Sequence, residues 1–439
     1  MRYLAASATI LTVVTLTACH TWQDRGLPLK DFKAKNSAYF PQGILKFFRS
    51  ANDFQRDYHT KRLARAGIKL IEVKQLNSKS SNNNEANLSW SADGYYLSYE
   101  SNTFNNRQIM LKDLPEEYAR TLAVLPKGRD TFLEGSISRE LQSYNSGLSW
   151  SKDSTRFAFM SNGGVGSYNI YIGAVGLQEY PIAQSPTKDG YATWSPSQNE
   201  LVFVSARSGN GDIYLLDIES ENLKRLSDSP YIDVFPEWSP MGDQIVYSSG
   251  PSSNHSLFLL RRPIATGEWQ KPEKITDWPH DDLRPTISPD GKFVAFYSNS
   301  GYRGGQFYWN IHVVPLRKSK PFRAHELKHT VVARDVMVDL NTGPAWSPDS
   351  RKIFYIRKDS RKFNPICAYD LFLGKRYVFK TGTKMNRDIL ISKLGIMSFR
   401  AQVGAWDRVF VALTNQGLQL QTRKSASSLI HYLNWLPKG

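Results

Sequence analysis

Cysteine is nearly missing from this 439-residue chain, which has two, Cys19 and Cys367. Cys19 sits at the end of an export-like N-terminal segment, so no disulfide within the mature chain is expected and stability has to come from packing. Cys367 lies in the apolar run Pro365 to Tyr369 and reads as a buried strand residue. Long apolar runs are lacking as well. The most apolar stretch, Leu4 to Leu16, is interrupted by Ser and Thr and falls short of the roughly 18 residues that cross a bilayer. There is no block of like charge either. The 56 Lys and Arg are scattered among 40 Asp and Glu, which argues against a nucleic-acid partner. No Gly-x-Ser-x-Gly elbow occurs.

What is present begins at the N-terminus. Arg2 precedes the short apolar stretch, which ends in Leu16-Thr17-Ala18-Cys19. That ending resembles a bacterial lipobox, in which small residues admit the processing peptidase and the following thiol carries lipid. Residues 1–18 are therefore expected to be a lipoprotein signal peptide, and Cys19 the lipidation site. Stable anchoring by acyl chains generally needs more than one chain, and such a protein is held to a membrane without spanning it. His20 stands where inner-membrane retention usually has Asp, so outer-membrane sorting is expected, on the periplasmic face or at the cell surface. The formal net charge of +16 favours weak attraction to anionic envelope polymers and lipid head groups.

Beyond residue 80 one pattern recurs six times. Its copies are Leu88 to Gly94, Leu148 to Ser154, Ala192 to Pro196, Pro236 to Gly242, Pro285 to Gly291 and Pro344 to Ser350. Each centres on Trp-Ser, or Ile-Ser at Ile287; four of the six continue with Pro, and four have Asp two residues after the Ser. In such a turn Pro presets φ, Asp bonds its own backbone, and Gly takes positive φ without a steric penalty. A β-rich run follows each copy, and in several a second comes about ten residues later, such as Asp212 to Asp217. The anchor positions 90, 150, 194, 238, 287 and 346 are separated by 60, 44, 44, 49 and 59 residues. Spacings near 44 match a four-stranded propeller blade, and the longer ones imply insertions near 115–145 and 316–340.

The Trp-Ser-Pro-Asp-Gly motif with its preceding Pro resembles the WD40-like (PD40) repeat of the TolB family, found also in the propellers of prolyl oligopeptidase-type enzymes. The resemblance covers roughly residues 68–435. It implies an all-β β-propeller, and it says much less about function. The chain departs from TolB itself, which is normally soluble in the periplasm and has a larger N-terminal domain than the residues between Cys19 and Glu85 allow. It is identified as TolB-like rather than as TolB. Too few residues follow the repeats for an α/β-hydrolase domain.

Six blades carry the motif. Residues 384–435 lack it but hold strand-like runs at Gly395 to Ala401, Arg408 to Thr414 and Gly417 to Thr422, which favours a degenerate seventh blade; six blades is the alternative. Ile68 to Val73 is expected to supply its outer strand and close the ring. Residues 19–67 form a lipidated extension. In it Phe47, Ala51, Phe54, Tyr58 and Arg62 recur at helical spacing before Gly67, as an amphipathic helix would. Residues 68–439 are the propeller.

Five residues before each anchor stands a polar side chain: Glu85, Asn145, Asp189, Asp233, Asp282 and Asn341. Propeller symmetry gathers equivalent positions into a collar at one mouth of the channel. Such a collar can take a cation, a basic peptide or a hydroxyl-rich ligand. Short acceptors at such positions also bond their own loop backbone, and the two uses can coexist. In TolB relatives a partner protein docks at a propeller mouth, so the resemblance implies partner binding there.

His325-Glu326-Leu327-Lys328-His329 matches the zinc motif His-Glu-x-x-His. The motif needs a long helix to bring both imidazoles to one face. Pro321 before it and the strand-like Thr330 to Val332 after it argue against one. The eight His share no repeat position; His280 lies nearest the collar, two residues before Asp282. The expectation is a lipid-anchored envelope scaffold that binds envelope proteins, with no catalytic residues and no cofactor. The alternative is an envelope enzyme or carbohydrate binder using the same mouth, lyase-like or zinc-dependent.

Overall fold

Local turn chemistry organises the chain. Ser91, Ser151, Ser288 and Ser347 each donate from Oγ to the Asp two residues on. The same hydroxyls accept from the backbone N–H of Tyr96, Arg156, Phe293 and Lys352, which starts the next strand. Gly94, Gly242 and Gly291 then take φ of 80°, 71° and 71°. Ser154 and Ser350 occupy the same left-handed position at φ 59°. Their hydroxyls accept from Asp93 N at 2.9 Å and Asp290 N at 3.0 Å, so each serine ties its turn to that of the preceding blade.

The computed structural model describes residues 67–414, apart from 72, 77–82, 104–105, 114–133, 137–143, 164–165, 175–176, 178, 264–266, 317–319, 328–329 and 360–362. The signal segment, Cys19, the amphipathic helix and the run Gly417 to Thr422 lie outside the described residues. Among the described residues no helix is long and apolar enough to cross a membrane. Two compact units result. Among the described residues one comprises 67–70 and 378–383; the other comprises 71–377 and 384–414.

The larger unit is a seven-bladed β-propeller. Its innermost strands are Glu85–Trp90, Asn145–Trp150, Asp189–Trp194, Ile232–Trp238, Asp282–Ile287, Ala345–Trp346 and Lys384–Ile391. Blade three shows the plan: Asp189–Trp194, Glu200–Ser205, Asp212–Asp217 and Leu223–Arg225 pair antiparallel in that order. Blade seven takes its outer strand from the other end of the chain. Lys74–Gln75 pairs antiparallel with Trp406–Leu413, with Lys74 opposite Val411. Closure is therefore by Lys74–Gln75 and not by Ile68 to Val73; Leu76 N extends it by donating to Val409 O at 2.9 Å, and Ile71 and Val73 are buried beside it outside the strand. In the smaller unit Ile68–Leu70 pairs in parallel with Val378 to Lys380.

Alternation along each strand buries one residue set between neighbouring blades. Blades two and three enclose Ile170, Ile172, Trp194, Leu201, Phe203 and Tyr214. The repeat indoles reach the preceding blade: Trp238 Nε1 donates to Thr193 O at 3.1 Å, and Trp346 Nε1 to Thr286 O at 3.1 Å. Trp90 Nε1 donates to Ser398 Oγ at 2.9 Å and so crosses the closure. One indole thus supplies both apolar area and a satisfied donor, which explains its repetition. Cys367 is a buried strand residue whose thiol faces the Pro365 carbonyl at 3.7 Å.

Candidate functional site

Inner strands begin at the mouth where the polar collar was expected, and there the structure places its members unequally. Glu85, Asn145, Asp189, Asp233 and Asp282 are all buried, whereas Asn341 is exposed. Each buried member stands opposite a serine of the second strand: Ser101, Ser161, Ser205, Ser249 and Ser298. Asp189 also accepts from Arg207 Nη2 at 3.1 Å, and Asp233 from Ser229 Oγ at 2.8 Å. Asp282 accepts from Trp278 Nε1 at 2.8 Å. Burial raises the Asp189 and Asp233 carboxyls above their usual range, against the pull of those donors. Burial likewise pushes Asp282 up to about 7. Asp189, Asp233 and Asp282 thus hold mouth loops in place from within their blades. A seventh member, the buried Asn386, lies five residues before Ile391 and donates to Asn364 O at 3.0 Å. Ile391-Ser392 replaces Trp-Ser there, which hid it from the repeat pattern.

Residues facing the axis sit three positions before each anchor. Asn87, Gly147, Tyr191, Phe235, Arg284 and Asp388 occupy this place with φ between 43° and 68°. Each coincides with a register shift, a bulge that lets one inner-strand residue leave the sheet. Left-handed backbone at Tyr, Phe and Arg costs of order 1–3 kcal/mol each, so the surrounding strands enforce it. Blades three to five thereby assemble an aromatic and cationic cluster. Tyr191 meets Phe235 edge-to-face at 5.0 Å. The Arg284 guanidinium lies 4.5 Å from the Phe235 ring and 5.7 Å from that of Tyr191, while its Nε donates to Leu340 O. Glu237 nearby is pushed up to about 7 by burial, with Arg284 pulling it down. On the far side Asn87 donates to Ser146 Oγ at 3.1 Å, and Asp388 is held by Arg400. The position is thus cationic and aromatic in blades three to five, whereas in blade seven its acid, Asp388, is neutralised by Arg400. A flat guanidinium beside two rings can take a carboxylate or stack on a planar group. Asn87, Gly147 and Asp388 carry a sequence signal for positive φ, but Tyr191, Phe235 and Arg284 do not, so the ring was not apparent from residue types.

The remaining candidates fall elsewhere. His325 and Glu326 belong to the four-residue helix Ala324–Leu327, in the connection before Val331–Arg334. Glu326 accepts from Arg323 N at 3.0 Å, and His329 lies outside the described residues. Among the described residues no group of three His, Cys, Asp or Glu is arranged to hold a metal. His280 packs edge-on to Trp278 at 4.8 Å, and burial lowers its pKa. His312 is fully buried between Trp278 and Phe296, with Ser300 and Thr330 hydroxyls at 2.8 Å on its two nitrogens. Burial pushes it down to about 3, so it is a neutral core residue.

Large apolar side chains emerge around the same mouth. Tyr144, Tyr191, Tyr231, Ile232, Leu340 and Val403 are exposed on loops or strand ends of that face, with Tyr191 43% exposed. On the opposite face the exposed set includes Met241, Phe372 and Leu373.

The family described as TolB beta propeller domain matches residues 129–363. Among solved structures, an oligogalacturonate lyase in complex with manganese is similar at 12% identity and a TM-score of 0.57, covering 78% of this chain and 93% of that one. An oligogalacturonate lyase from Vibrio parahaemolyticus is similar at 14% identity and a TM-score of 0.56, covering 78% and 94%. TolB from Acinetobacter baumannii is similar at 12% identity and a TM-score of 0.43, covering 78% of this chain and 66% of that one, just under two thirds of its length. No curated protein matches the chain.

Proposed function

Because the chain belongs to the TolB β-propeller domain family, we propose that it is a non-enzymatic binding scaffold of the cell envelope. In this reading lipid on Cys19 holds it to the outer membrane, and an envelope protein docks on the propeller mouth. The make-up of that mouth carries the proposal. Tyr144, Tyr191, Tyr231, Ile232 and Leu340 are exposed around it, and Arg284 stacks within it. Tyr and Arg are the residue types that concentrate binding energy in protein interfaces. Of the buried collar, Asp189, Asp233 and Asp282 contribute by fixing mouth loops, which lowers the ordering cost of docking.

The test is crosslinking in intact envelopes followed by recovery of the chain. Tyr191→Ser with Tyr231→Ser should remove the crosslinked partner, while Met241→Ser with Phe372→Ser on the opposite face should retain it. Equal recovery from both pairs would refute the docking surface. Fatty-acid labelling should be lost in Cys19→Ser; persistent labelling would refute the anchor.

A second reading draws on the Arg284, Tyr191 and Phe235 cluster, whose cation and rings suit an acidic sugar. Calorimetry with oligogalacturonate would detect it, through heat that disappears in Arg284→Gln.

A further inference from the structure

Blade five differs from its neighbours in one strand pair. Phe293–Arg303 and Gln306–Pro315 are 11 and 10 residues long, where the equivalent strands of blade three have 6 each. Ser298 pairs with Asp282, the first residue of the inner strand. The second and third strands nevertheless resume pairing beyond it, at Gly301 with Tyr308, Tyr302 with Phe307 and Arg303 with Gln306. The hairpin therefore projects past the mouth by three residue pairs. Gly304 and Gly305 turn it at φ 58° and 81°, the tight geometry that matches strand twist. Tyr308 lies across Gly301, where an added Cβ would sit 2.2 Å from the ring. Arg303 covers the same ring at 5.6 Å. The projection is a braced rod and not a slack loop.

At its tip Tyr302 and Phe307 are 63% and 65% exposed, with ring centroids 5.2 Å apart. Neighbouring segments add charge. Val336 N donates to Trp309 O and Lys358 N to Asp335 O, both at 3.0 Å, which sets residues 334–336 and 357–358 beside the hairpin base. Arg303, Arg334, Arg357 and Lys358 are all exposed there. The acids among them are Asp335, 3.5 Å from Arg303, the half-buried Asp359, and Asp339, which faces Arg400. Cations are in excess, as in the whole chain.

We propose that the Tyr302–Phe307 tip and its four surrounding cations form a contact site for the anionic head-group surface of a phospholipid bilayer. The amphipathic Tyr302 ring favours the head-group level and the Phe307 ring the acyl boundary just below it, and each Lys or Arg near an anionic leaflet adds attraction that salt screens. Charge complementarity and the exposed rings together point to an anionic lipid surface, since the rings are flanked by Arg303 and Arg334 at strand ends and by Arg357 and Lys358 beside them. The site orients the propeller at the membrane and is independent of the partner proposed above.

The experiment uses the chain from residue 20 onward, exported behind a cleavable signal so that it carries no lipid. It is sedimented with phosphatidylcholine vesicles, with or without phosphatidylglycerol. The chain should bind the anionic vesicles and bind the neutral ones at least tenfold more weakly. Tyr302→Ser with Phe307→Ser should weaken binding about tenfold, as should Arg303→Gln with Lys358→Gln. Tyr302→Trp with Phe307→Trp should preserve it, which separates ring chemistry from fold damage. Equal binding to both vesicle types, or by the serine pair, would overturn the proposal. So would capture of a protein by the tip in the absence of vesicle binding. Because no lipid anchor is present, failure here leaves the Cys19 reading intact, and loss of labelling at Cys19 leaves this one intact.

Discussion

Arg400 of blade seven donates from Nη1 to the backbone carbonyl of Glu85, the first residue of blade one, at 2.5 Å. The same guanidinium bonds Asp388 through Nε and Asp407 through Nη1, the latter at 3.2 Å. Arg408 adds a bond to Asn83 O at 2.6 Å. The two ends of the propeller chain are thus joined by buried cations as well as by the Lys74–Gln75 strand. The Asp388 side chain is completely buried, so removing its cation leaves a charge without compensation. Arg400→Met should lower the unfolding free energy by about 3–5 kcal/mol, read from denaturant midpoints. Adding Asp388→Asn, which removes the charge and tolerates the φ of 49° there, should recover much of that loss. If the single substitution costs less than about 1 kcal/mol, Arg400 does not secure the closure.

Asp282 makes stability depend on pH with a definite sign. Its folded pKa is raised from 3.8 to about 7 by burial. Between those values the folded state binds a proton that the unfolded state has released, so stability falls as pH rises through that window and is level above it. Asp282→Asn removes the titration while keeping shape and an acceptor for Trp278. Relative to the parent, the Asn form should gain stability steadily across that window, by a total on the order of 4 kcal/mol. Thermal melts at a series of pH values would check it; a constant difference between the two chains would mean that Asp282 does not titrate there. Glu237, also pushed up to about 7, contributes with the same sign and remains in both chains.

The Trp238 indole serves packing and hydrogen bonding together. It is buried among Val204, Leu215, Ile245 and Leu260 and bonds Thr193 O of the preceding blade. Trp238→Phe should cost about 1–3 kcal/mol through the orphaned carbonyl and lost area, and Trp238→Ala about 3–5 kcal/mol through the cavity. Chemical denaturation resolves the two. Equal losses would show that the bond, and not the volume, is what the repeat position requires.

Repeat units were legible in the sequence because their determinants are local. A serine, the Asp two residues on and a Gly close one turn within seven residues, and the indole marks the strand before it. Blade seven was visible only as strand-like runs, since Ile391-Ser392 lacks the indole. Its closing strand was misplaced. Ile68 to Val73 has the stronger strand composition, yet Lys74–Gln75 does the pairing, because register across more than 330 residues is set by packing and not by propensity. The collar positions were readable from spacing, but their burial was not: a carboxylate that lines a channel and one that bonds its own blade look alike in a sequence. The bulge ring was hidden for a different reason. Tyr191, Phe235 and Arg284 are held at positive φ by the fold against their own preference.

Gly343 stands where blade six should add its own side chain to that ring, three residues before Trp346. A Cβ there would lie 2.3 Å from Thr286 Cγ2 and 2.9 Å from the Arg284 carbonyl oxygen. Thr286 is itself fixed by donating to Pro344 O at 2.7 Å, so its methyl cannot turn aside without losing that bond. Gly343→Ala should therefore push blades five and six apart locally, at about 1–3 kcal/mol. Gly147 gives the contrast: its φ is 68° with open space around the missing Cβ, so Gly147→Ala should cost only about 1 kcal/mol, from backbone strain. Thr286→Ser removes the clashing methyl but not the carbonyl, and should return part of the Gly343→Ala loss while keeping the Pro344 bond. Because Arg284 shares the affected backbone, Gly343→Ala should also weaken any ligand held by the Arg284 cluster. Stability measured alongside binding would decide. A Gly343→Ala chain as stable as the parent would mean that blades five and six have room to separate, and that the close approach at Thr286 is not a constraint on the mouth.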